Sequence, residues 1–337
     1  MMRNIRQSLF VFLCFLTQFT FAQEDFFINK SRFMQKTNPS FFGFNSLNKV
    51  GVLYNTISVN TSDKQDNKYA FGALSFEGQN FSLGLDVNSF KFQSTGFNVN
   101  NGGLTFVYKV QLTNDIYFLP AIKLGYASSS VAVDNLIFED QINAVTGFIN
   151  TETIDPLAPQ ISSVNYLDLG TSFIIHNEVF IAGLSLRNLN QPNASFNKES
   201  AEKLPISIAV QGGYEFDLNA YRQGLLPEFS FLYLYGAVTK FGNSLLVSLS
   251  QEAQLGSFSL GISQQASKLN TFSLTSIGLS VGASVENFDF GLQYNIPIKQ
   301  INQVFAPSVF ELYVAFDFSI YRRNNRGRYK RLVTDNY

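Results

Sequence analysis

The residues that most often perform catalysis or bind metals are scarce in this sequence. His176 is the only histidine and Cys14 is the only cysteine. Metal sites built from imidazole or thiolate need several such ligands together, so we expect no metal ion. His176 falls in a two-residue turn between two predicted strands, where a lone histidine is expected to be solvated.

The carboxylates that could act as acids or bases are adjacent loop residues. Glu24-Asp25 and Glu139-Asp140 lie in predicted loops, and no nucleophile–base pair accompanies them. Gly-x-Gly spacings fall inside predicted strands, and no glycine-rich phosphate loop with a lysine precedes a helix. The sequence therefore predicts a protein that is not an enzyme and needs no cofactor.

Basic residues concentrate at the C-terminus, where Arg322 and Arg323 begin a run that reaches Arg331. The body of the chain carries more acidic than basic residues, which does not suit nucleic acid along its length. The tail is expected to contact either the anionic head groups of outer-membrane lipid or an acidic periplasmic partner. Arg322 and Arg323 are therefore candidate partner-binding residues, and the sequence leaves the two interpretations open.

The elements that must position these groups are strands. Residues 310–320 read F-E-L-Y-V-A-F-D-F-S-I, so that one face is apolar and the other is mostly polar. This alternation returns in fourteen segments between residues 49 and 320. With 36 Phe, 15 Tyr and only 15% charged residues, it predicts an all-β, antiparallel transmembrane β-barrel whose outer wall faces lipid.

The connections between these segments support a barrel over a soluble β-sandwich. Short turns alternate with longer loops by parity, apart from a longer connection at 217–226, and a sandwich gives no reason for that order. The longest loop, 128–163, is expected either to fold into the barrel as a plug or to present a docking surface. An even strand count places both termini on one side, which we expect to be periplasmic.

The alternation also predicts which side chains face the lumen. A charge on the lipid face costs about 2–4 kcal/mol near the midplane, so charged strand residues are assigned inward. A change of phase in the strand at 271–283 predicts a β-bulge near Thr275-Ser276. The charged residues predicted to face inward are Lys109, Lys123, Asp168, Arg187, Glu215, Asp289, Glu311 and Asp317.

The chain is divided into four parts by these patterns. Residues 1–22 have a basic start, an apolar centre and a small-x-small site, and predict a signal peptide. Residues 23–48 form an aromatic lead-in, which we expect to pack across the periplasmic mouth or to bind a partner. The barrel occupies 49–320, and the basic periplasmic tail occupies 321–337.

Three segments stand out as motifs. The first is N-P-S-F-F-G at 38–43, the second is L-I-F-E-D-Q at 136–141, and the third covers 166–192 and ends in L-N-Q-P. Together they resemble the PorP/SprF family of type IX secretion system membrane proteins from Bacteroidetes. The candidate partner-binding residues in these motifs are Asn38, Pro39, Phe41, Gly43, Phe138, Asp140, Gln141, Asn190, Gln191 and Pro192.

The resemblance implies an outer-membrane component that supports the secretion or surface anchoring of a large adhesin, and in many relatives gliding motility. The implied partners are the C-terminal domain of the adhesin and the periplasmic ring and lipoprotein components of the machine. The outer loops 128–163 and 187–203 would then hold the exported partner. The alternative is a passive channel for hydrophobic or small solutes, similar to the fatty-acid channel FadL, which also suits fourteen strands.

Overall fold

The computed structural model describes residues 29–46, 48–58, 64–76, 79–93, 95–132, 141–142, 163–196, 203–219, 225–227, 230–268, 272–298 and 308–318. Within these ranges, no helix has the length and apolar character needed to span a membrane. The predicted signal peptide, the basic tail with Arg322 and Arg323, and the loop residues Phe138 and Asp140 lie outside the described residues.

Short helical turns come first in the described chain, and strands form the rest of its regular structure. The helical elements are α1 (Met34–Thr37) and the 3-10 helix η1 (Pro39–Ser46). The strands are β1 Lys49–Ser58, β2 Lys64–Phe76, β3 Phe81–Phe92, β4 Asn98–Tyr108, β5 Val110–Gln111, β6 Tyr117–Ser130, β7 Ser163–His176, β8 Phe180–Arg187, β9 Ser207–Asp217, β10 Ser230–Phe241, β11 Ser244–Leu255, β12 Phe258–Lys268, β13 Phe272–Val285, β14 Phe288–Pro297 and β15 Ser308–Asp317.

The strands close into an antiparallel barrel. The first strand pairs with the last, from Lys49 opposite Asp317 to Ser58 opposite Ser308, and all remaining neighbours follow in chain order. Closure gives each of the fourteen described wall strands a neighbour on both sides, as a lipid environment requires. The fourteen-stranded barrel predicted from the alternation is confirmed.

Strand β5 is a continuation of β4 and not an additional wall strand. Val107 pairs with Ala121 and Val110 with Phe118, so the register against β6 is unchanged across the break. The interruption faces Pro120, which has no backbone N–H to donate to the neighbouring strand. One proline inside a strand thus divides a single wall position into two segments.

The side chains alternate between lipid and lumen as predicted. In β3 the exposed Leu83 and Leu85 alternate with the buried Ser82 and Asp86, and β14 follows the same rule. The predicted bulge is confirmed, because the register between β12 and β13 shifts beside Gln265 and leaves Thr275 without an opposite residue. The fourth strand already starts at Asn98, because the polar stretch 98–101 pairs with β3.

The two rims of the barrel differ in their connections. At one rim the turns are short, such as 177–179, 256–257 and 286–287, and this is called the short-turn end. At the other rim lie the long connections 131–162 and 188–206, and this is called the long-loop end. The first residue of β1 and the last of β15 meet at the short-turn end, so the N-terminal segment enters the barrel from there.

Residues 29–44, called the plug from here on, lie inside the lumen. Phe33, Phe42 and Phe44 are at most 6% exposed, and the plug packs against strands around the inner wall. It therefore lies deeper than the position across the mouth that the sequence predicted. The physical reason is that the inner wall offers both apolar surface and hydrogen-bonding groups, so an aromatic segment can be buried against it.

Candidate partner-binding site in the plugged lumen

The N-P-S-F-F-G motif anchors the plug to the wall through polar contacts. Asn38 is fully buried, and its Nδ2 donates to the backbone oxygens of Phe173 in β7, at 3.1 Å, and Leu184 in β8, at 3.3 Å. The backbone N–H of Ser40 donates to Ser172 Oγ at 3.1 Å, and the two hydroxyls are 2.8 Å apart. Buried polar groups are stable only when paired, and here the plug and the wall pair with each other.

Glycines allow the backbones of plug and wall to approach closely. A Cβ added at Gly43 would lie 2.6 Å from Val107 Cγ1, and one added at Gly183 would lie 2.8 Å from Asn38 Nδ2. A Cβ at Gly84 would overlap the ring of Phe42. Because each of these glycines is required by space, the motif is explained by docking inside the barrel.

A buried ion pair holds the other half of the plug. The Arg32 guanidinium contacts the Glu252 carboxylate and the Ser259 hydroxyl, and lies 5.5 Å from the ring centre of Tyr313. Burial lowers the pKa of Arg32, but the combined effect of Glu252, Tyr313 and Asp289 is larger and raises that pKa above its ordinary value. The pair is therefore charged inside the lumen and fixes the position of the plug.

Aromatic contacts complete the packing at both sides of the plug. Phe33 meets Tyr69, Phe71 and Tyr313 edge to face, with ring centroids 5.4 to 6.3 Å apart. Such pairs contribute about 0.5–1.5 kcal/mol beyond the area that they bury. The plug is thus packed as a core and not as a loosely held loop.

The single histidine takes part in this packing. His176 is 2% exposed, and its ring lies 4.7 Å from that of Phe44 and 5.6 Å from that of Tyr117. The expectation of a solvated turn histidine is wrong, because the plug residue Phe44 covers the end of β7. The side chain therefore packs between the plug and the wall near the short-turn end of the lumen.

The L-N-Q-P motif builds the exit from β8 at the long-loop end. Asn190 Nδ2 donates to the Leu167 oxygen at 2.7 Å, and Asn190 Oδ1 accepts from the Leu169 N–H at 3.1 Å. The oxygen of Pro192 accepts from the Leu204 N–H at 2.9 Å. These bonds fix the start and the end of the 188–206 connection on the rim of the barrel.

A cavity of about 670 Å³ lies between the plug and the long-loop end. Tyr69 lines it from the wall, Phe196 lines it from the loop region, and Phe97 packs against Phe196 with ring centroids 6.2 Å apart. The charged side chains that line it are Lys36, Asp86, Lys123, Asp168, Arg187 and Lys203. The wall, the plug and the long-loop end thus enclose a polar and aromatic space.

The structure brings only some of the candidate residues together. Asn38, Pro39, Phe41 and Gly43 are buried within the barrel, so their contact with a partner stays a prediction and would require movement of the plug. At the long-loop end Asn190 and Gln191 are exposed, whereas Pro192 and Gln141 are buried.

Sequence reasoning missed Arg32 and Lys36 as functional residues of the lumen. Both belong to an aperiodic segment, and nothing in the sequence brings them next to Glu252 or Asn88. Among the residues that the structure describes, no group of three or more His, Cys, Asp or Glu side chains could hold a metal ion.

Comparison with known proteins places this barrel in a family. The family model described as "Type IX secretion system membrane protein PorP/SprF" matches residues 21–316. No curated protein matches the chain. Among solved structures, the toluene transporter TbuX of Ralstonia pickettii is similar with a TM-score of 0.51 at 8% identity, over 84% of this chain and 92% of that one.

A deletion mutant of the monoaromatic hydrocarbon channel TodX has a TM-score of 0.50 at 10% identity, over 83% of this chain and 92% of that one. At such low identity these two likenesses show the outer-membrane barrel fold alone. The family match, in contrast, extends over the plug and nearly the whole barrel wall. The chain therefore belongs to the PorP/SprF family of type IX secretion system membrane proteins and is an outer-membrane β-barrel.

Proposed function

We propose that this barrel supports the secretion or the surface anchoring of an adhesin, as in gliding motility, by binding the C-terminal region of that adhesin. The observation that carries the proposal is the family match over residues 21–316, which contains both the plug and the wall. The proposed mechanism is binding without turnover.

The plug inside the lumen supports binding over conduction. Phe33 and Phe42 are each 2% exposed and pack inside the barrel, where a channel would need a continuous path. The same plug leaves the cavity at the long-loop end, which offers charged and aromatic side chains to a partner. A partner held at that end is attached to the membrane without passing through this barrel.

The long-loop end is proposed to face the cell exterior, with both termini periplasmic. In outer-membrane barrels the extracellular loops are longer than the periplasmic turns, which matches the two rims seen here. The lead-in before residue 29 and the basic tail, with Arg322 and Arg323, then lie on the side of the periplasmic ring and lipoprotein components and of the inner lipid leaflet.

The experiment that tests this proposal uses the native host. Deletion of the gene is expected to abolish display of one large surface protein, and the wild-type gene on a plasmid is expected to restore it. A variant lacking residues 133–162 is expected to insert normally, judged by heat-modifiable migration, but to leave display defective. Its matched control lacks residues 299–307, another connection at the long-loop end.

Wild-type display in the gene deletion would overturn the proposal. Wild-type display with the variant lacking 133–162 would exclude the outer loop as the holding element. A large conductance of the wild-type protein in planar bilayers would instead favour the passive-channel alternative, because the plug would then not seal the lumen.

A further inference from the structure

The cavity above the plug carries an excess of positive charge. Four cationic side chains line it, against two carboxylates, among the residues that the structure describes. The cations come from four different elements, which are the plug, strand β6, the end of β8 and the rim before β9. They are Lys36, Lys123, Arg187 and Lys203.

The two carboxylates of the cavity already have partners in the wall. Both oxygens of Asp86 lie 2.7 Å from Lys123 Nζ, and Asp168 Oδ1 accepts from the backbone N–H of Asn188 at 2.8 Å. The acidic side chains are thus engaged by the protein itself. The cavity therefore has a net positive charge.

A second, independent feature points to an acceptor ligand. Asn88 lines the cavity and is 4% exposed, and its Oδ1 accepts from Lys36 Nζ at 3.0 Å. The other half of this amide, Nδ2, is buried without a hydrogen-bond acceptor. A buried donor without an acceptor is unfavourable, and a bound carboxylate oxygen would satisfy it.

The rest of the lining narrows the class of ligand. Tyr69, Tyr166, Phe97 and Phe196 supply apolar and aromatic surface beside the cations. The volume of about 670 Å³ falls within the range of about 300–1,000 Å³ that is usual for ligand pockets. A short polypeptide segment with carboxylates next to apolar side chains matches both the charge and the aromatic surface.

We propose that this cavity binds a carboxylate-bearing polypeptide segment, inserted from the long-loop end and held by Arg187, Lys203 and the amide of Asn88. The inference rests on the proposed function, since the segment would belong to the C-terminal region of the secreted partner. Beyond that function, the inference specifies where the segment binds, which chemical group is recognised and from which end the segment enters.

The test uses the full-length barrel in mild detergent and two dye-labelled peptides. The acidic probe is Gly-Ser-Phe-Asp-Phe-Asp with a free C-terminal carboxylate, and the neutral probe has Asn for both Asp and a C-terminal amide. Fluorescence polarisation is expected to give a Kd about tenfold lower for the acidic probe. Raising the salt concentration is expected to reduce this difference, because screening weakens the attraction between charges.

Variants that remove a cation or a carboxylate test the location of the site, because they are expected to change the affinity in opposite directions. Arg187→Gln and Lys203→Gln are each expected to weaken binding of the acidic probe several-fold, about the effect of one charge contact. Asp168→Asn removes a carboxylate and is expected to strengthen it. Lys240→Gln, on the outward face of β10, is the matched control and is expected to leave the Kd unchanged.

The inference would be overturned if the two probes bound with equal affinity or if neither bound. It would also be overturned if Lys240→Gln changed the Kd and Arg187→Gln did not. Lys203 is exposed, so Lys203→Gln is expected to fold normally and keeps the test valid if Arg187→Gln does not fold. Heat-modifiable migration checks that every variant is a folded barrel.

Failure of the inference can be told apart from failure of the proposed function. If the gene deletion loses surface display but the probes do not distinguish charge, only the cavity proposal fails. If the probes follow the charges but display is normal in the deletion, the cavity stands as a carboxylate site and the proposed function fails.

Discussion

Gly84 of strand β3 lies against the ring of Phe42, so closely that any side chain at position 84 would occupy the space of the ring. The inward residues nearest to Gly84 along β3 are polar, namely Ser82, Asp86 and Asn88. The wall therefore contains a gap shaped for one aromatic residue of the plug. This relationship makes the plug part of the folded barrel, and it can be tested by filling the gap.

Substitution Gly84→Ala is expected to loosen the plug. Overpacking a filled core costs about 1–3 kcal/mol, and Phe42 is only 2% exposed. We expect a lower midpoint of thermal unfolding, followed by heat-modifiable migration, and a higher conductance in planar bilayers. The matched control is Gly212→Ala, where the added Cβ would meet only the Ile181 oxygen at 3.8 Å. Equal midpoints for the two variants would contradict the close fit.

Removal of Arg32 is expected to destabilise the plug more than removal of the whole ion pair. Arg32→Met leaves the Glu252 carboxylate, 6% exposed, without its cation, and such a change costs about 3–5 kcal/mol. Glu252→Gln in the same chain removes the charge that was left behind. A double-mutant cycle on urea-induced unfolding measures the coupling, and strict additivity of the two changes would show that the pair does not hold the plug.

The barrel was predictable from sequence because its signal is local and repeated. Alternation in β3 and β14 assigned the lipid and lumen faces correctly, and the phase change in β13 located the bulge at Thr275. A period of two residues is fixed by strand geometry alone and needs no knowledge of the partner strand. The same rule could not give the register, which depends on pairs distant in the chain.

The plug could not be predicted because its contacts are long-range and its sequence has no period. Asn38 finds its carbonyl partners 135 and 146 residues later, and Asn29 finds Glu311 282 residues later. The N-P-S-F-F-G motif identified the segment as a candidate site but did not indicate that it enters the lumen. His176 was misplaced for the same reason, since only the position of Phe44 buries it.

The buried amide of Asn38 is expected to be more sensitive to charge than an equivalent amide in an exposed turn. Asn38→Asp replaces a donor by a carboxylate oxygen that faces two carbonyl oxygens, so two hydrogen bonds of about 0.5–1.5 kcal/mol each become repulsive contacts. Asn219 makes the same pair of bonds, to the Leu226 and Pro227 oxygens at 3.2 and 3.1 Å, but in an exposed position.

Thermal unfolding of Asn38→Asp and Asn219→Asp compares the two sites directly. We expect the first variant to lose clearly more stability, because water can replace the bonds at 219 but not those at 38. A loss of the same size at both sites would mean that the plug is hydrated around Asn38, in disagreement with its complete burial.

The side chain of Asn190 takes the place of a missing strand neighbour of β7. Pairing between β7 and β8 stops at Thr171 opposite Leu186, so Leu167 and Leu169 of β7 have no partner in β8. The Asn190 amide donates to the backbone oxygen of Leu167 and accepts from the backbone N–H of Leu169. Asn190→Ala is expected to release the 188–206 connection, whereas Asn190→Asp keeps the acceptor and is expected to release it less.

Limited proteolysis of intact cells measures this release, with faster cleavage in 191–206 for Asn190→Ala than for Asn190→Asp and slowest for the wild type. Asn177→Ala is the control, because Asn177 accepts from Val179 and Phe180 in a turn at the opposite rim. If the proposed function holds, display of the surface partner is expected to fall in the same order, since the connection carries the Lys203 side of the cavity. Faster cleavage with unchanged display would separate the rim from partner binding and assign that role to the wall and plug alone.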